Sequence, residues 1–184
     1  MNTDDAGLAA RARDGDSKAF TELVSRHQDR VFRFVFRMTG SREEAMDITQ
    51  ETFMKAWQAM PRWRPEAQFG TWLLQIARNG ALDTLRRRNV VGFEPLDDDL
   101  PIADPAPTPE ERVHARRRIE SLDVALRALP VEHREVLLLR EVEDLSYAEI
   151  AQALGIAEGT VKSRIARARA ALLDRFAPGA GETQ

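Results

Sequence analysis

Apolar positions along this chain recur every three to four residues, in stretches separated by glycine, proline or serine. That spacing is the period of an amphipathic helix rather than of a strand. It predicts helices near residues 16–24, 26–39, 41–59 and 67–88, then near 111–128, 131–141, 146–153 and 158–174. No alternating stretch of useful length points to a strand, so the expected fold class is all-α. Gly40 suits a left-handed cap after the second helix. Ser41 and Glu44 have the spacing of a capping box that opens the third. Pro61 and Pro65 separate the third from the fourth, and Pro130, Ser146 and Gly155 mark the later breaks.

The pattern fails between residues 92 and 109, where GFEPLDDDLPIADPAPTP holds five prolines. Proline blocks helix and ladder hydrogen bonds, and like charges keep such a segment extended. The chain therefore divides into two small helical domains, expected at 8–91 and 111–176, joined by an acidic, proline-rich linker at 92–110. Glu94, Asp97, Asp98, Asp99, Asp104, Glu110 and Glu111 place seven acids in this region with no Lys or Arg among them. Setting those seven aside, a net charge of −3 becomes +4 over the rest of the chain. The basic residues gather in Arg86-Arg87-Arg88 and in the final helix, which keeps nucleic acid open as a partner.

Three surfaces stand out. On helix 41–59, Ala45, Ile48, Thr52, Ala56 and Ala59 share one side and should face the core. Asp47, Gln50, Glu51, Met54 and Gln58 share the other. Such a stripe fits either a solvated face or a docking face. Met54, a flexible apolar side chain among acids and amides, favours docking, and the acids favour a protein over DNA.

On helix 67–88, Phe69, Leu73, Ile76, Ala77 and Gly80 form one apolar face and Leu74, Ala81 and Leu85 another. Between them Trp72, Gln75, Asn79 and Arg86 form a stripe of groups that stack on and hydrogen-bond exposed bases. The preceding loop adds Trp63 between Arg62 and Arg64. Composition leaves two readings open: a base-contacting stripe, or a core Trp72 with arginines that merely solubilise.

The third surface is a helix-turn-helix at Leu145–Leu173. A short helix starts at Ser146 and stops at Gly155, with Ile150 and Leu154 inward. A second begins near Glu158 and turns Val161, Ile165, Ala168 and Leu172 inward. Ser163, Ala166, Arg167 and Ala170 lie opposite, flanked by Thr160, Lys162, Arg164 and Arg169. Small outward residues allow close approach to the major-groove floor, basic flanks reach phosphates, and Arg167 can reach a guanine edge. An ordinary basic hairpin is the weaker alternative.

Other chemistry is poorly served. The chain has no cysteine, hence no disulfide or thiolate site. His27, His114 and His133 are scattered and read most simply as surface or helix-end residues. No Gly-rich phosphate loop or separated carboxylate pair suggests catalysis, a cofactor or a metal. No apolar run approaches the roughly 18 residues needed to span a bilayer, and the polar N-terminus is no signal peptide. A cytoplasmic protein, not an enzyme, is expected.

In this order the three surfaces resemble the extracytoplasmic-function group of sigma factors in the sigma-70 family. Asp47-Ile-Thr-Gln-Glu-Thr-Phe53-Met-Lys-Ala-Trp57 is similar to the region-two helix that docks on the β′ clamp helices of core RNA polymerase. Phe69-Gly-Thr-Trp-Leu-Leu-Gln-Ile-Ala-Arg-Asn79, with Ala81-Leu-Asp and the three arginines, resembles the segment that melts and reads the −10 element. Tyr147-Ala-Glu-Ile-Ala, Leu154-Gly-Ile, Gly159-Thr-Val-Lys-Ser-Arg-Ile165 and Arg167-Ala-Arg resemble region four, which reads the −35 element.

The resemblance implies a factor that binds core RNA polymerase, including its β flap, and directs it to promoter DNA. It also implies an anti-sigma partner. Asp47, Gln50, Glu51, Met54 and Gln58 then hold polymerase. Arg62, Trp63, Arg64, Trp72, Gln75, Asn79 and Arg86 take −10 bases. Thr160, Lys162, Ser163, Arg164, Ala166, Arg167 and Arg169 serve the −35 duplex. A free-standing helix-turn-helix regulator is the alternative, and it would have no need of the Asp47–Gln58 stripe. Two positions depart from the family pattern: Ala157 stands where a capping Ser is common, and Gly80 interrupts the −10 helix.

Overall fold

The computed structural model describes residues 3–64, 68–91 and 121–176, every regular element of which is helical. The chain divides into two compact units, an N-terminal and a C-terminal one. The linker, His114 and the first part of the helix expected at 111–128 lie outside the described residues; 121–127 are helical and are designated α5.

The N-terminal unit contains α1 (Thr3–Arg13), α2 (Ser17–Thr39), α3 (Arg42–Ala59), a 3-10 turn (Met60–Arg62) and α4 (Phe69–Val91). Helices α2, α3 and α4 pack on one another, and α1 lies on α2, the 3-10 turn and α4. Their shared core is built on Leu23, Val31, Phe34, Val35, Met38, Ala45, Ala56, Met60, Leu73, Leu74 and Ala81.

Two expectations change here. The break predicted near Ser25 is absent, because α2 runs unbroken from Ser17 to Thr39. Helix α1 was not expected at all. Its joint with α2 is made by Asp16. One Asp16 carboxylate oxygen accepts the Lys18 and Ala19 N–H groups, while the other takes the Arg11 guanidinium at 2.5 Å. The bond from the Ala19 N–H, then that from Arg11, holds the Asp16 carboxyl below its ordinary range.

Gly40 ends α2 in the left-handed conformation at φ 74°, and its N–H reaches the Phe36 carbonyl. Ser41 caps α3 through the Glu44 N–H, but the expected box is only half made. Glu44 turns its carboxylate to Arg88 of α4, 2.7 Å away, and Arg88 also donates to the Thr39 carbonyl. Gly80 sits where a Cβ would lie 3.0 Å from Ile48 Cγ2, so the glycine lets α3 and α4 close up.

In the C-terminal unit, α6 (Val131–Glu141), α7 (Tyr147–Leu154) and α8 (Glu158–Phe176) follow α5. Helices α6 and α8 pack closely, through a core that includes Val136, Leu138, Ile150, Val161, Ile165 and Ala168. Arg134 is buried, and its guanidinium donates to the Arg127 and Leu129 carbonyls at the end of α5. Burial pushes this guanidinium down to about 10. A complete capping box starts α7: the Glu149 N–H meets Ser146 Oγ, and the Glu149 carboxylate accepts from the Ser146 N–H and Oγ. The turn between α7 and α8 uses Gly155 at φ 65°.

Candidate docking and nucleic-acid surfaces

Helix α3 divides as its periodicity predicts. Ala45, Ile48, Thr52 and Ala56 are buried, and Ala59 is half-buried. Asp47, Gln50, Glu51, Met54 and Gln58 are all exposed. Lys55 pairs with Glu51 at 2.8 Å across one turn. The acidic stripe borders an open groove of about 710 Å³ between α2 and α3. Phe20, Val24 and Phe32 of α2 and Met46, Phe53, Met54 and Trp57 of α3 supply its apolar lining. Met46, Met54 and Trp57 are 56%, 57% and 38% exposed. Three large apolar groups are thus left to water on one side of this helix. The sequence reading took Met54 alone. Met46, Gln50, Met54 and Trp57 follow the i, i+4, i+8, i+11 spacing of a single stripe, which was the available signal.

The second surface is partly redrawn. Arg62 and Arg64 are exposed, but Trp63 between them is buried, so its ring does not present itself for stacking on bases. It packs edge-on to Phe69, with centroids 6.1 Å apart, and lies 6.1 Å from Trp72. Phe69 and Trp72 are themselves 5.7 Å apart. This aromatic trio joins both ends of the loop between the 3-10 turn and α4. Trp72 keeps one half-buried face within it, Gln75 is half-buried, and Asn79 and Arg86 are exposed. Trp72 therefore packs in the trio and is still partly exposed. Asn79 Oδ1 accepts from Arg78 at 3.4 Å, and Arg86 lies 3.4 Å from Asp83, both at the surface. The arginine triplet splits, since Arg86 and Arg87 are exposed whereas Arg88 is engaged with Glu44 and Thr39.

The third surface is the helix-turn-helix. Val161, Ile165 and Ala168 are buried and Leu172 is half-buried, while Ser163, Ala166, Arg167 and Ala170 are exposed. Among the described residues Arg167 makes no hydrogen bond or ion pair, so its fork of donors remains available. Lys162 lies 5.7 Å from the Tyr147 ring, whose surroundings also include the Arg140 guanidinium at 5.2 Å. Thr160 is half-buried, and its carbonyl takes the Ser163 hydroxyl.

Two flanking bases are less free than their positions suggested. Arg164 is half-buried and lies 3.7 Å from Glu135, a carboxylate 2% exposed on α6. Arg169 pairs with Glu141, which raises its affinity for the proton. Both hold α8 against α6. Among the described residues no side chain is seen to cap α8 at Ala157, whose carbonyl accepts the Thr160 and Val161 N–H groups.

Among the histidines, His27 departs from the surface placement expected of it. It is 7% exposed and its Nε2 lies 2.9 Å from Asp5 of α1.

Residues 23–90 match the family model for sigma-70 region 2, and 119–172 match that for sigma-70 region 4. The chain is 39% identical over 183 residues to the ECF RNA polymerase sigma factor SigE of Mycolicibacterium smegmatis, covering 96% of this chain and 70% of that one. It is 33% identical to the ECF RNA polymerase sigma factor SigW of Bacillus subtilis, over 86% of this chain and 89% of the other. Among solved structures it resembles CnrH in complex with the cytosolic domain of CnrY, with a TM-score of 0.73 and 28% identity, covering 94% and 97% of the two chains.

Proposed function

Because the chain belongs to the extracytoplasmic-function sigma factors of the sigma-70 family, we propose that its three surfaces act as successive contacts in promoter recognition. A sigma factor binds core RNA polymerase and directs it to promoters, where the −35 element is read as duplex and the −10 element as melted strand. The exposed Asp47, Gln50, Glu51, Met54 and Gln58, with the apolar groove beside them, form the polymerase-docking face. Arg62, Arg64, Trp72, Asn79 and Arg86 take the −10 bases, with Gln75 at the edge of the stripe. Unstacking a base costs a few kcal/mol, which a pocket for the flipped base returns. Lys162, Ser163, Ala166 and Arg167 enter the −35 major groove.

The observation that carries this reading is the docking stripe, which is wholly exposed and continuous with three unshielded apolar side chains. A free-standing regulator has no use for it. The factor does no bond chemistry on this reading and works in the cytoplasm, where its polymerase is. Among the described residues no helix is long and apolar enough to cross a membrane. The complex of CnrH with the cytosolic domain of CnrY supports a protein partner for this chain too, and we assign that place to an anti-sigma factor. We assign the N-terminal domain to residues 3–91, extended from 8 by α1, with the acidic connection at 92–110 and the C-terminal domain at 111–176.

Run-off transcription with core RNA polymerase tests the reading. The parent chain should support promoter-directed transcripts, and the double reversal Asp47→Lys with Glu51→Lys should abolish core binding while leaving the helical content unchanged. Unaltered pull-down by the reversed variant would remove the docking face from the scheme.

A further inference from the structure

Helix α1 and His27 play no part in the polymerase and DNA contacts proposed above, yet they meet beside the start of α4, the helix proposed to read the −10 element. His27 lies on α2 and is almost wholly buried. Its Nε2 faces Asp5 Oδ2 of α1 at 2.9 Å, and the second Asp5 oxygen is held 3.1 Å from the Arg26 guanidinium. The carboxylate is thereby fixed at both oxygens, and it fixes the rotation of the imidazole in turn. The same ring meets Phe69 edge-on, with centroids 5.6 Å apart and planes inclined by 67°. One residue further on, a Cβ at Gly70 would lie 3.2 Å from His27 Cε1 and 2.6 Å from the Arg30 guanidinium. The first turn of α4 is thus pressed onto α2 at the imidazole.

Phe69 closes the far end of the loop that carries Arg62 and Arg64, and it touches Trp63 at the near end. A continuous line of contacts therefore runs from Asp5 through His27 and Phe69 to Trp63 and Trp72. Helix α1 also rests directly on the 3-10 turn that leads into the loop. A buried ring whose orientation is set by one hydrogen bond thus touches Phe69 directly, and through Phe69 it bears on Trp63 and Trp72. Recognition geometry needs support of this kind to within about 0.5 Å.

We infer that His27, oriented by Asp5, is a positioning residue for −10 recognition: it sets the start of α4 and, through the Phe69–Trp63–Trp72 trio, the placement of the base-contacting side chains. It touches no base itself. This inference rests on the −10 assignment proposed above.

The test uses holoenzyme reconstituted from core RNA polymerase and the full chain, with a pool of single-stranded DNA randomised across the −10 positions as the probe. A wrong base typically costs about 1–3 kcal/mol, equivalent to a preference of roughly 5- to 150-fold. In His27→Ala and in Asp5→Ala the enrichment of the preferred base should fall about tenfold, while affinity for core polymerase stays within about twofold. The double variant should lose no more than the single ones, since both act through one contact. His27→Gln, which can still donate to Asp5, should recover most of the discrimination.

Undiminished enrichment in both alanine variants overturns the inference, as does a loss of core affinity equal to the loss of discrimination. Should His27→Ala not fold, Asp5→Asn at the outer end of the contact line gives the same readout, and unchanged enrichment there is decisive against it. Asn79→Ala and the Arg62→Ala/Arg64→Ala pair serve as the control arm. If they flatten base preference and the Asp5 and His27 variants do not, only the positioning role fails. If they too leave it unchanged, the −10 assignment fails and the inference with it.

Discussion

Arg88 at the far end of α4 meets Glu44 in the first turn of α3 at 2.7 Å, tying the helix proposed to read the −10 element to the helix proposed to dock on polymerase. The pair is largely shielded from water, and Arg88 also satisfies the Thr39 carbonyl near the end of α2. Arg86, two residues earlier, is exposed. The two substitutions should therefore separate. Arg88→Ala should cost on the order of 1.5–3 kcal/mol of stability in the N-terminal unit, as for hydrogen bonds to charged groups. Arg86→Ala should leave unfolding within about 0.5 kcal/mol of the parent, as surface changes do, and weaken binding to single-stranded −10 DNA. Chemical denaturation and oligonucleotide binding on the same two proteins make the comparison.

Gly80 of α4 lies close against Ile48 of α3. In an open helix Gly→Ala gains roughly 0.5–1 kcal/mol. Here the added methyl lies 3.0 Å from the buried Ile48 Cγ2, and overpacking a full core costs about 1–3 kcal/mol. Gly80→Ala should therefore destabilise by about 1 kcal/mol. In an Ile48→Ala background the same change should become neutral or favourable. Additive effects in that double-mutant cycle would show that the contact is not the cause.

Arg164 and Arg167 sit on one turn of α8 and should fail in different ways. Arg164→Ala leaves the buried Glu135 without that cation, so the C-terminal unit should lose thermal stability. Arg167→Ala should leave the melting temperature unchanged, weaken binding to a −35 duplex by about 1–3 kcal/mol and relax preference at one base pair. An equal loss on every duplex sequence would make Arg167 a phosphate contact instead. Mobility shifts on a panel of substituted duplexes, beside thermal melts, read both.

The two helices of the helix-turn-helix start differently. Glu149 closes the box on Ser146, and the Ser146 hydroxyl, then its N–H, holds the carboxyl below the ordinary value of 4.5. A depressed carboxylate contributes stability that is fully present above its unfolded value and is lost as pH falls through the lower folded one. The advantage of the parent over Glu149→Gln should therefore be constant near neutrality and vanish on acidification below about 4.5. Helix α8 has only Ala157 at the corresponding place. Ala157→Ser should add about 1 kcal/mol and tighten binding to the −35 duplex. Thermal melts across pH, and of the Ser variant at neutrality, check the pair.

The helical faces were legible in the sequence because burial on a helix follows its period, and α3 and α8 expose the stripes that period assigns. Helix α1 was not legible. Its buried residues include Ala9 and Ala12, too small to register as an apolar stripe, and its ties to α2 are the polar contacts of Asp5 and Arg11. Trp63 was misplaced because arginines on both sides suggest exposure, whereas a partner close in space, Phe69, draws the ring inward. The ion pairs of Arg164 and Arg88 were not legible for a related reason. Their carboxylate partners, Glu135 and Glu44, lie on other helices, and periodicity within one helix carries no information about them. The same holds for His27, whose partner sits on a helix the sequence did not reveal.

The chain's three tryptophans all lie in the N-terminal unit: Trp57 at the apolar groove, Trp63 and Trp72 in the aromatic trio that joins the two ends of the loop before α4. The C-terminal unit, which between 121 and 176 has no Trp and only one Tyr, Tyr147, contributes almost nothing to emission excited at the indole band. Each N-terminal surface thus carries its own optical label. Occupation of the groove should shift the Trp57 spectrum to the blue, while movement of the loop changes the paired indoles. Replacing Trp57 with phenylalanine isolates one signal from the other, so the order in which the two surfaces engage can be timed without attaching a dye.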